Sequence, residues 1–315
     1  MTRTLFPSPD GMAEAARVLQ SGALVAFPTE TVYGLGGDAR SDMAVARIFE
    51  AKDRPRFNPL IVHVPDLAAA RRIARFDDRA LTLAAAFWPG PLTLVLPLLA
   101  EAGLSALVAA ELPSVAIRVP AHPVAQALLA AFGGPLAAPS ANLSGRVSPT
   151  RAAHVAEGLS GRIAAILDGG PCSVGVESTI VGLDGPARLL RPGGIALEVV
   201  EALLGAPLSV AADAPERPSS PGQLASHYAP GARLRLQVTT PEPEEIHIGF
   251  GTGPAPLTLS ATGNLVEAAA NLFHHLREAD RLAGIGGRIT VAPVPDTGLG
   301  RAINDRLRRA AAPRP

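Results

Sequence analysis

Lysine is almost missing from these 315 residues: among 28 basic side chains Lys52 is the single lysine, and the others are arginine. A position that keeps an ammonium where composition has replaced it everywhere else has a use for a compact point charge on a flexible stem, which the flat arginine fork does not supply. Cysteine is as scarce. Cys172 alone excludes an internal disulfide framework and any multi-thiolate metal site, and it fits a reducing compartment. Its neighbours Pro171 and Ser173 offer no adjacent base for a nucleophilic role. Net charge is absent too: 28 basic residues balance 28 acidic ones, which removes the basic excess of a protein that grips nucleic acid by its phosphates. Aromatics make up only 4%, so the core must be built from alanine, leucine and valine. The first ten residues hold no apolar run of signal-peptide length. Residues 80–100 carry no charge, but Trp88-Pro89-Gly90-Pro91 cuts that run into a helix end, a turn and the strand Leu92-Thr93-Leu94-Val95-Leu96. A soluble, cytoplasmic protein is expected.

What is present alternates. The length suggests two domains. Residues 10–20 read as a helix stopped at Gly22, 23–27 as a strand, and 42–51 as a helix with Lys52 just past its last turn. Further strands are expected at 59–64, 115–119, 136–138, 164–167 and 178–181, with helices near 123–132 and 150–157. This is an α/β pattern with a mixed sheet. From about residue 205 to 230 the composition shifts to Ala, Pro and Ser, which reads as a semi-extended linker. Strands at 233–238, 246–250 and 289–293 with helices at 264–281 and 300–310 then predict a second, smaller α/β domain. The expected division is 1–204, 205–230 and 231–315.

Several segments at strand ends carry chemistry. Thr29-Glu30-Thr31-Val32-Tyr33-Gly34-Leu35-Gly36-Gly37-Asp38 leaves a strand with hydroxyls, a carboxylate and glycines that let a backbone approach a ligand, without the spacing of a standard nucleotide loop. Lys52, Arg54 and Arg56 with Asn58 crowd three cations and an amide before a strand ending at His63. Such a cluster repels itself unless solvated or bridged by an anion, and a polyphosphate suits it. Arg118 lies in the apolar run Val115-Ala116-Ile117-Arg118-Val119, so it either faces solvent on an edge or holds a carboxylate. Ser140-Ala141-Asn142, Gly175-Val176-Glu177-Ser178-Thr179 and Arg191-Pro192-Gly193 add hydroxyls, an amide and a cation at further strand ends.

In this order the segments resemble the Sua5/YrdC/YwlC family of threonylcarbamoyl-AMP synthases. Ser220-Pro221-Gly222, His227-Tyr228-Ala229-Pro230 and the C-terminal Gly300-Arg301-Ala302-Ile303-Asn304-Asp305-Arg306 are similar to the linker and second domain of its long form. The resemblance implies a YrdC-like α/β fold, a twisted mixed sheet with an open positive cleft, and a smaller Rossmann-like C-terminal Sua5 domain. It implies that L-threonine, bicarbonate or carbon dioxide, and ATP with Mg²⁺ yield L-threonylcarbamoyl-AMP and diphosphate, the first step toward the t6A modification of tRNA. Lys52 and Arg54 are then expected at the chemistry. Thr31, His63, Arg118, Ala138 and Ser178 are expected around threonine, and Lys52, Arg54, Asn58, Ser114, Ser140, Asn142, Ser148, Arg191, His227 and Tyr228 around ATP. Magnesium is expected on the ATP phosphates, without a firm protein ligand. The product would pass to a tRNA threonylcarbamoyl-transferase complex, with at most weak direct tRNA binding and no membrane. Two rival readings are an RNA-binding platform without catalysis and carbamoyl transfer from carbamoyl phosphate, as in the related domain of hydrogenase maturation proteins. Those proteins carry zinc-finger cysteines that this chain lacks.

Overall fold

The computed structural model describes residues 1–55, 57–210, 220–222 and 226–313. Arg56, the centre of the expected linker (211–219) and Gln223-Leu224-Ala225 lie outside the described residues.

The first part of the chain forms β1 (Arg3–Leu5), β2 (Val25–Phe27), β3 (Gly34–Asp38), β4 (Ile61–His63), β5 (Leu92–Pro97), β6 (Ser114–Arg118), β7 (Leu136–Ala137), β8 (Ala165–Leu167), β9 (Thr179–Gly182), β10 (Arg188–Arg191) and β11 (Ser209–Val210). Between them lie α1 (Pro9–Gln20), α2 (Asp42–Ala51), α3 (Leu67–Arg71), α4 (Asp78–Phe87), α5 (Ala106–Ala109), α6 (Pro123–Phe132), α7 (Ala152–Leu159) and α8 (Leu197–Leu204). Local chemistry starts the helices: Ser41 and Asp77 accept hydrogen bonds from Ala44 N and Ala80 N as N-caps, and Pro123 opens α6. The strands join one mixed sheet in the order β1-β8-β2-β3-β7-β4-β6-β5-β9-β10-β11. Since β11 pairs with β10 in parallel, this sheet runs on to Val210, beyond the expected end of the first domain.

One expectation changes in part. The glycines after Tyr33 form strand β3, antiparallel to both β2 and β7, and of these Gly34 still lines the cavity described below. A Cβ at Gly36 would lie 2.9 Å from the Phe27 ring, so glycine there serves close strand packing.

Side-chain alternation decides where the site lies. On one face Leu24, Ala26, Val62, Leu94 and Ile117 join a core with residues of α2, α4 and α7. On the other, Val25, Phe27, Leu136 and Leu167 are covered by α1 and α6. That cover stops partway. Beyond it the same face carries only a small apolar cluster, Ile61, Val95, Ala116, Ile180 and Leu190, and this half of the sheet is the floor of the cleft.

The remaining strands, β12 (Arg233–Arg235), β13 (Ile246–Gly249), β14 (Leu257–Thr258) and β15 (Arg288–Val291), form a separate all-parallel sheet in the order β12-β15-β13-β14. It packs with α9 (Leu265–Ala283) and α10 (Gly300–Ala311). Their apolar cluster also takes in Val32, Val147, Val176 and Tyr228 from the site-bearing part of the chain. Among the described residues no helix is long and apolar enough to cross a membrane.

Candidate active site

His63 and Arg118 close the parallel strands β4 and β6 and face each other in register. Ligand sites of α/β sheets form at such carboxyl ends. Arg118 is buried in a central strand, so the solvent-edge alternative fails, and its partner is a carboxylate from within the chain. Its Nη2 donates to Glu30 Oε1 at 2.7 Å, Nη1 donates to Thr31 Oγ1 at 2.7 Å, and Nε donates to Gly90 O at 3.2 Å. Burial opposes ionisation of Glu30, but the Arg118 charge and hydrogen bond, with backbone amides, hold its pKa below the ordinary carboxylate value. The loop is fixed from inside: Thr29 Oγ1 donates to Val32 O and contacts Thr31 Oγ1, while Tyr33 donates to Gly170 O at 2.8 Å. His63 is driven down to about 3 by burial and then by Arg118, so its imidazole is neutral, and its Nδ1 is buried without a partner among the described residues.

Lys52 caps α2 and is 1% exposed. Its ammonium donates to Ser140 O and Asn142 O, pinning the Ser140-Ala141-Asn142 turn against the end of the helix. Burial, then the neighbouring Arg54, lowers its pKa well below the ordinary lysine value. Arg54 donates to Asn58 O and to Pro59 O, at 3.0 Å for the latter, and burial brings it down to about 10. Arg191 donates to Ser178 O and Ser178 Oγ. Among the described residues neither Lys52 nor Arg54 forms an ion pair with a carboxylate. Asn58 keeps both side-chain polar atoms, and Asn142 its Oδ1, buried without partners among the described residues.

One cavity brings together Thr31, His63, Arg118, Ala138, Ser178, Arg54, Ser140, Arg191, His227 and Tyr228 of the expected set. Lys52, Asn58, Asn142, Ser114 and Ser148 are buried but do not line it. Ser114 stands on β6, and alternation gives it the face of Ala116 and Arg118. Ser148 Oγ donates to Glu177 Oε1 at 2.5 Å. Sequence reasoning gave no role to Thr29, Glu30, Glu177 or Arg306. The apolar strand around Arg118 called for a carboxylate, but Glu30 meets it across 88 residues of chain and nothing local singled it out. Glu177 and Arg306 gave no such signal. His227 and Tyr228 reach the cavity from beyond the large sheet, and their rings meet at 4.1 Å. Tyr228 holds left-handed backbone (φ 62°), a conformation that a bulky residue keeps only where its surroundings over-determine it.

The arrangement offers a neutral imidazole and a compensated Arg–Glu pair at one end, and buried, uncompensated cations with hydroxyl and amide groups at the other. It suits a small zwitterion beside a polyanion.

Residues 17–193 match the Sua5/YciO/YrdC family, described as telomere recombination, and residues 195–312 match the threonylcarbamoyl-AMP synthase C-terminal domain. The chain is 43% identical to the threonylcarbamoyl-AMP synthase of Bacillus subtilis (strain 168), with 100% of this chain and 96% of the relative aligned. A crystal structure of P. abyssi Sua5 complexed with L-threonine superposes with a TM-score of 0.89 at 38% identity, covering 99% of this chain and 97% of that one. Full-length HypF, solved with phosphate and nucleotide, covers 59% of this chain at 20% identity and a TM-score of 0.52, a likeness of fold alone. Matched along its whole length in sequence and in structure, this chain belongs to the Sua5/YciO/YrdC family, in the form that carries the threonylcarbamoyl-AMP synthase C-terminal domain.

Proposed function

We propose that this chain is an L-threonylcarbamoyladenylate synthase, converting L-threonine, bicarbonate or carbon dioxide, and ATP to L-threonylcarbamoyl-AMP and diphosphate. The observation that carries the reading is the contrast within one cavity: Arg118 has its Glu30, whereas buried Arg54, with Lys52 behind it, has no carboxylate among the described residues. A buried cation without an anion is costly, and a polyphosphate offsets that cost. The bound L-threonine of the P. abyssi relative and the synthase names of the relatives support both substrates.

Threonine lies at the His63 and Arg118 end, where its carboxylate meets Arg118 and its hydroxyl and amine meet Thr31, Ser178 and neutral His63, with Ala138 beneath. The neutral amine adds to the carbon of carbon dioxide, with its proton lost to solvent, or of bicarbonate with loss of water, giving a carbamate. A carbamate oxygen then forms a bond to the α-phosphorus as the bond to the β-phosphate oxygen breaks and diphosphate leaves. Carbamate and triphosphate repel each other, and Lys52, Arg54 and Arg191 offset that repulsion most where the new bond forms. Positioning and charge neutralisation supply the rate without a covalent nucleophile. Ser140 orients the nucleotide from the cavity wall, Asn58, Asn142, Ser148 and Ser114 support that wall from outside the cavity, and His227 and Tyr228 cover the nucleotide against water. Among the described residues no group of three or more His, Cys, Asp or Glu is arranged to hold a metal. Magnesium, when bound, would neutralise phosphate charge on ATP; the buried Oδ1 atoms of Asn58 and Asn142 lie off the cavity, so no described residue is assigned to hold it.

We further propose that the catalytic domain runs to Val210, where β11 ends the large sheet, that the second domain starts with β12, and that His227 and Tyr228 serve the site between the two. The enzyme is assigned to the cytoplasm, upstream of a tRNA threonylcarbamoyl transferase. The test is diphosphate release by the purified protein with ATP, bicarbonate and Mg²⁺, compared with threonine, with serine and with no amino acid. Release that does not depend on threonine overturns the assignment.

A further inference from the structure

The loop that carries Ser178 into the cavity is held from outside by the second sheet's helices. At Gly175 (φ 76°) a Cβ would lie 2.4 Å from backbone atoms of Ala269 and Ala270 in α9, so loop and helix meet backbone to backbone. Val176, fully buried, belongs to the apolar cluster of Leu272, Phe273 and Ile303. Glu177 accepts from Arg306 Nε of α10 at 2.9 Å. Arg306 is itself fully buried, and it also donates from Nη1 to Pro192 O at 2.7 Å and to Asp305 Oδ2 at 2.8 Å. Its guanidinium stands 5.4 Å from the Tyr228 ring, which stacks on Phe273 of α9 at 5.5 Å.

One guanidinium therefore touches three segments that frame the cavity: the loop before Ser178, the turn after Arg191, and Tyr228. None of its own atoms lines that cavity. We propose that Arg306 is a positioning residue, the pin by which the C-terminal domain sets Glu177, the Arg191-Pro192 turn and Tyr228 in place, so that the second domain is part of the catalytic apparatus. The inference rests on the synthase reading above. A merely structural ion pair predicts something different: breaking it lowers stability but leaves the kinetics of the folded enzyme alone.

Glu177 provides the discriminating readout. Facing it are Arg306 from α10, Arg191 from β10, Ser148 from the loop before α7, and Tyr228, His227 and Asp305 nearby. Burial pushes its carboxyl up, while Arg306 and then Arg191 hold it below the ordinary value. Without Arg306 the carboxyl titrates at higher pH, so any activity that needs it ionised is lost earlier as pH falls.

The experiment uses the full-length chain with R306M, R306K, E177Q and the R306M/E177Q double variant. Threonine-dependent diphosphate release is followed between about pH 5 and pH 8, with kcat and the KM of ATP and threonine separated. R306M is expected to lower kcat/KM for ATP roughly 10- to 100-fold and to move the acidic limb upward. R306K keeps the charge beside Glu177 and restores the limb, but not the full rate. The double variant loses no more than the worse single. A folded R306M with wild-type kcat, KM and acidic limb overturns the proposal. If R306M does not fold, wild-type kinetics in both R306K and E177Q overturn it instead. A wild-type chain without threonine-dependent release overturns the synthase reading itself, a result distinct from either.

Discussion

At the β4 and β6 end of the cavity Arg118 donates to the Glu30 carboxylate at 2.7 Å, whereas Arg54 at the other end, and Lys52 beside that end, donate only to backbone carbonyls among the described residues. Both ends are built from buried residues and both hold cations. The first is electrically closed, so its polar groups fix geometry and read a neutral zwitterion. The second is electrically open, with cations whose pKa values burial lowers, and an incoming anion would oppose that lowering. On the function proposed above, charge compensation divides the site into an amino-acid half and a phosphate half.

The substitution with the largest effect should be Glu30→Gln, which opens the closed half. It strands the Arg118 charge in the interior, a loss expected to cost about 3–5 kcal/mol and to raise the KM of threonine more than that of ATP. Calorimetry and a two-substrate kinetic analysis check both. Equal effects on both KM values would erase the division. Next, Arg54→Ala and Lys52→Arg attack the open half. Each should lower turnover roughly 100-fold. Their stabilities should diverge: removing Arg54 relieves a buried, uncompensated charge, while arginine at position 52 overfills a 1% exposed site and costs about 1–3 kcal/mol. Chemical denaturation beside initial rates separates the two, and near-normal turnover in Lys52→Arg would deprive the ammonium of its special role.

A smaller effect links the halves, because each holds a buried histidine whose pKa burial brings from 6.5 to about 3, His63 in one and His227 in the other. The unfolded chain takes up these protons first, so native stability falls as pH drops from about 6.5 toward 3, by at most about 1.4 kcal/mol per pH unit for each histidine. Glu30 and Glu177 act only at lower pH, since their folded pKa values lie below the ordinary carboxylate value. Melting temperatures at pH 7, 6 and 5 read this window. A His63→Asn variant should show a shallower decline, and an unaltered slope would mean that His63 is not held neutral. Smallest, Thr31→Ser should change the KM of threonine within about tenfold and leave that of ATP unaltered.

Helices α2 and α6 were legible to the residue, because Ser41 and Pro123 mark their starts and apolar spacing their lengths. Strand β3 was not: a run with three glycines carries a loop's composition, and only the neighbouring Phe27 ring explains it. The site's membership was legible in part. His63, Arg118, Ser178 and Arg191 stand at or beside strand ends, where α/β sheets place ligands, and the structure brings all four into one cavity. The partners Glu30 and Arg306 were not legible, because they meet Arg118 and Glu177 across 88 and 129 residues of chain, where no local pattern reaches.

By itself the sequence determined the kinds of charge this protein has to work with: one ammonium, a buried arginine in an apolar strand, hydroxyls repeated at strand ends, and no thiolate or basic excess. Composition and periodicity are local properties, and local chemistry fixes them. Which cations would be neutralised and which left open was decided only by the fold. It set Glu30 against Arg118, brought Arg306 from the far end of the chain to Glu177, and placed Lys52 and Arg54 where no carboxylate among the described residues pairs with them. Burial raises the cost of every unmatched charge, so tertiary structure turned a list of polar residues into two halves of a site.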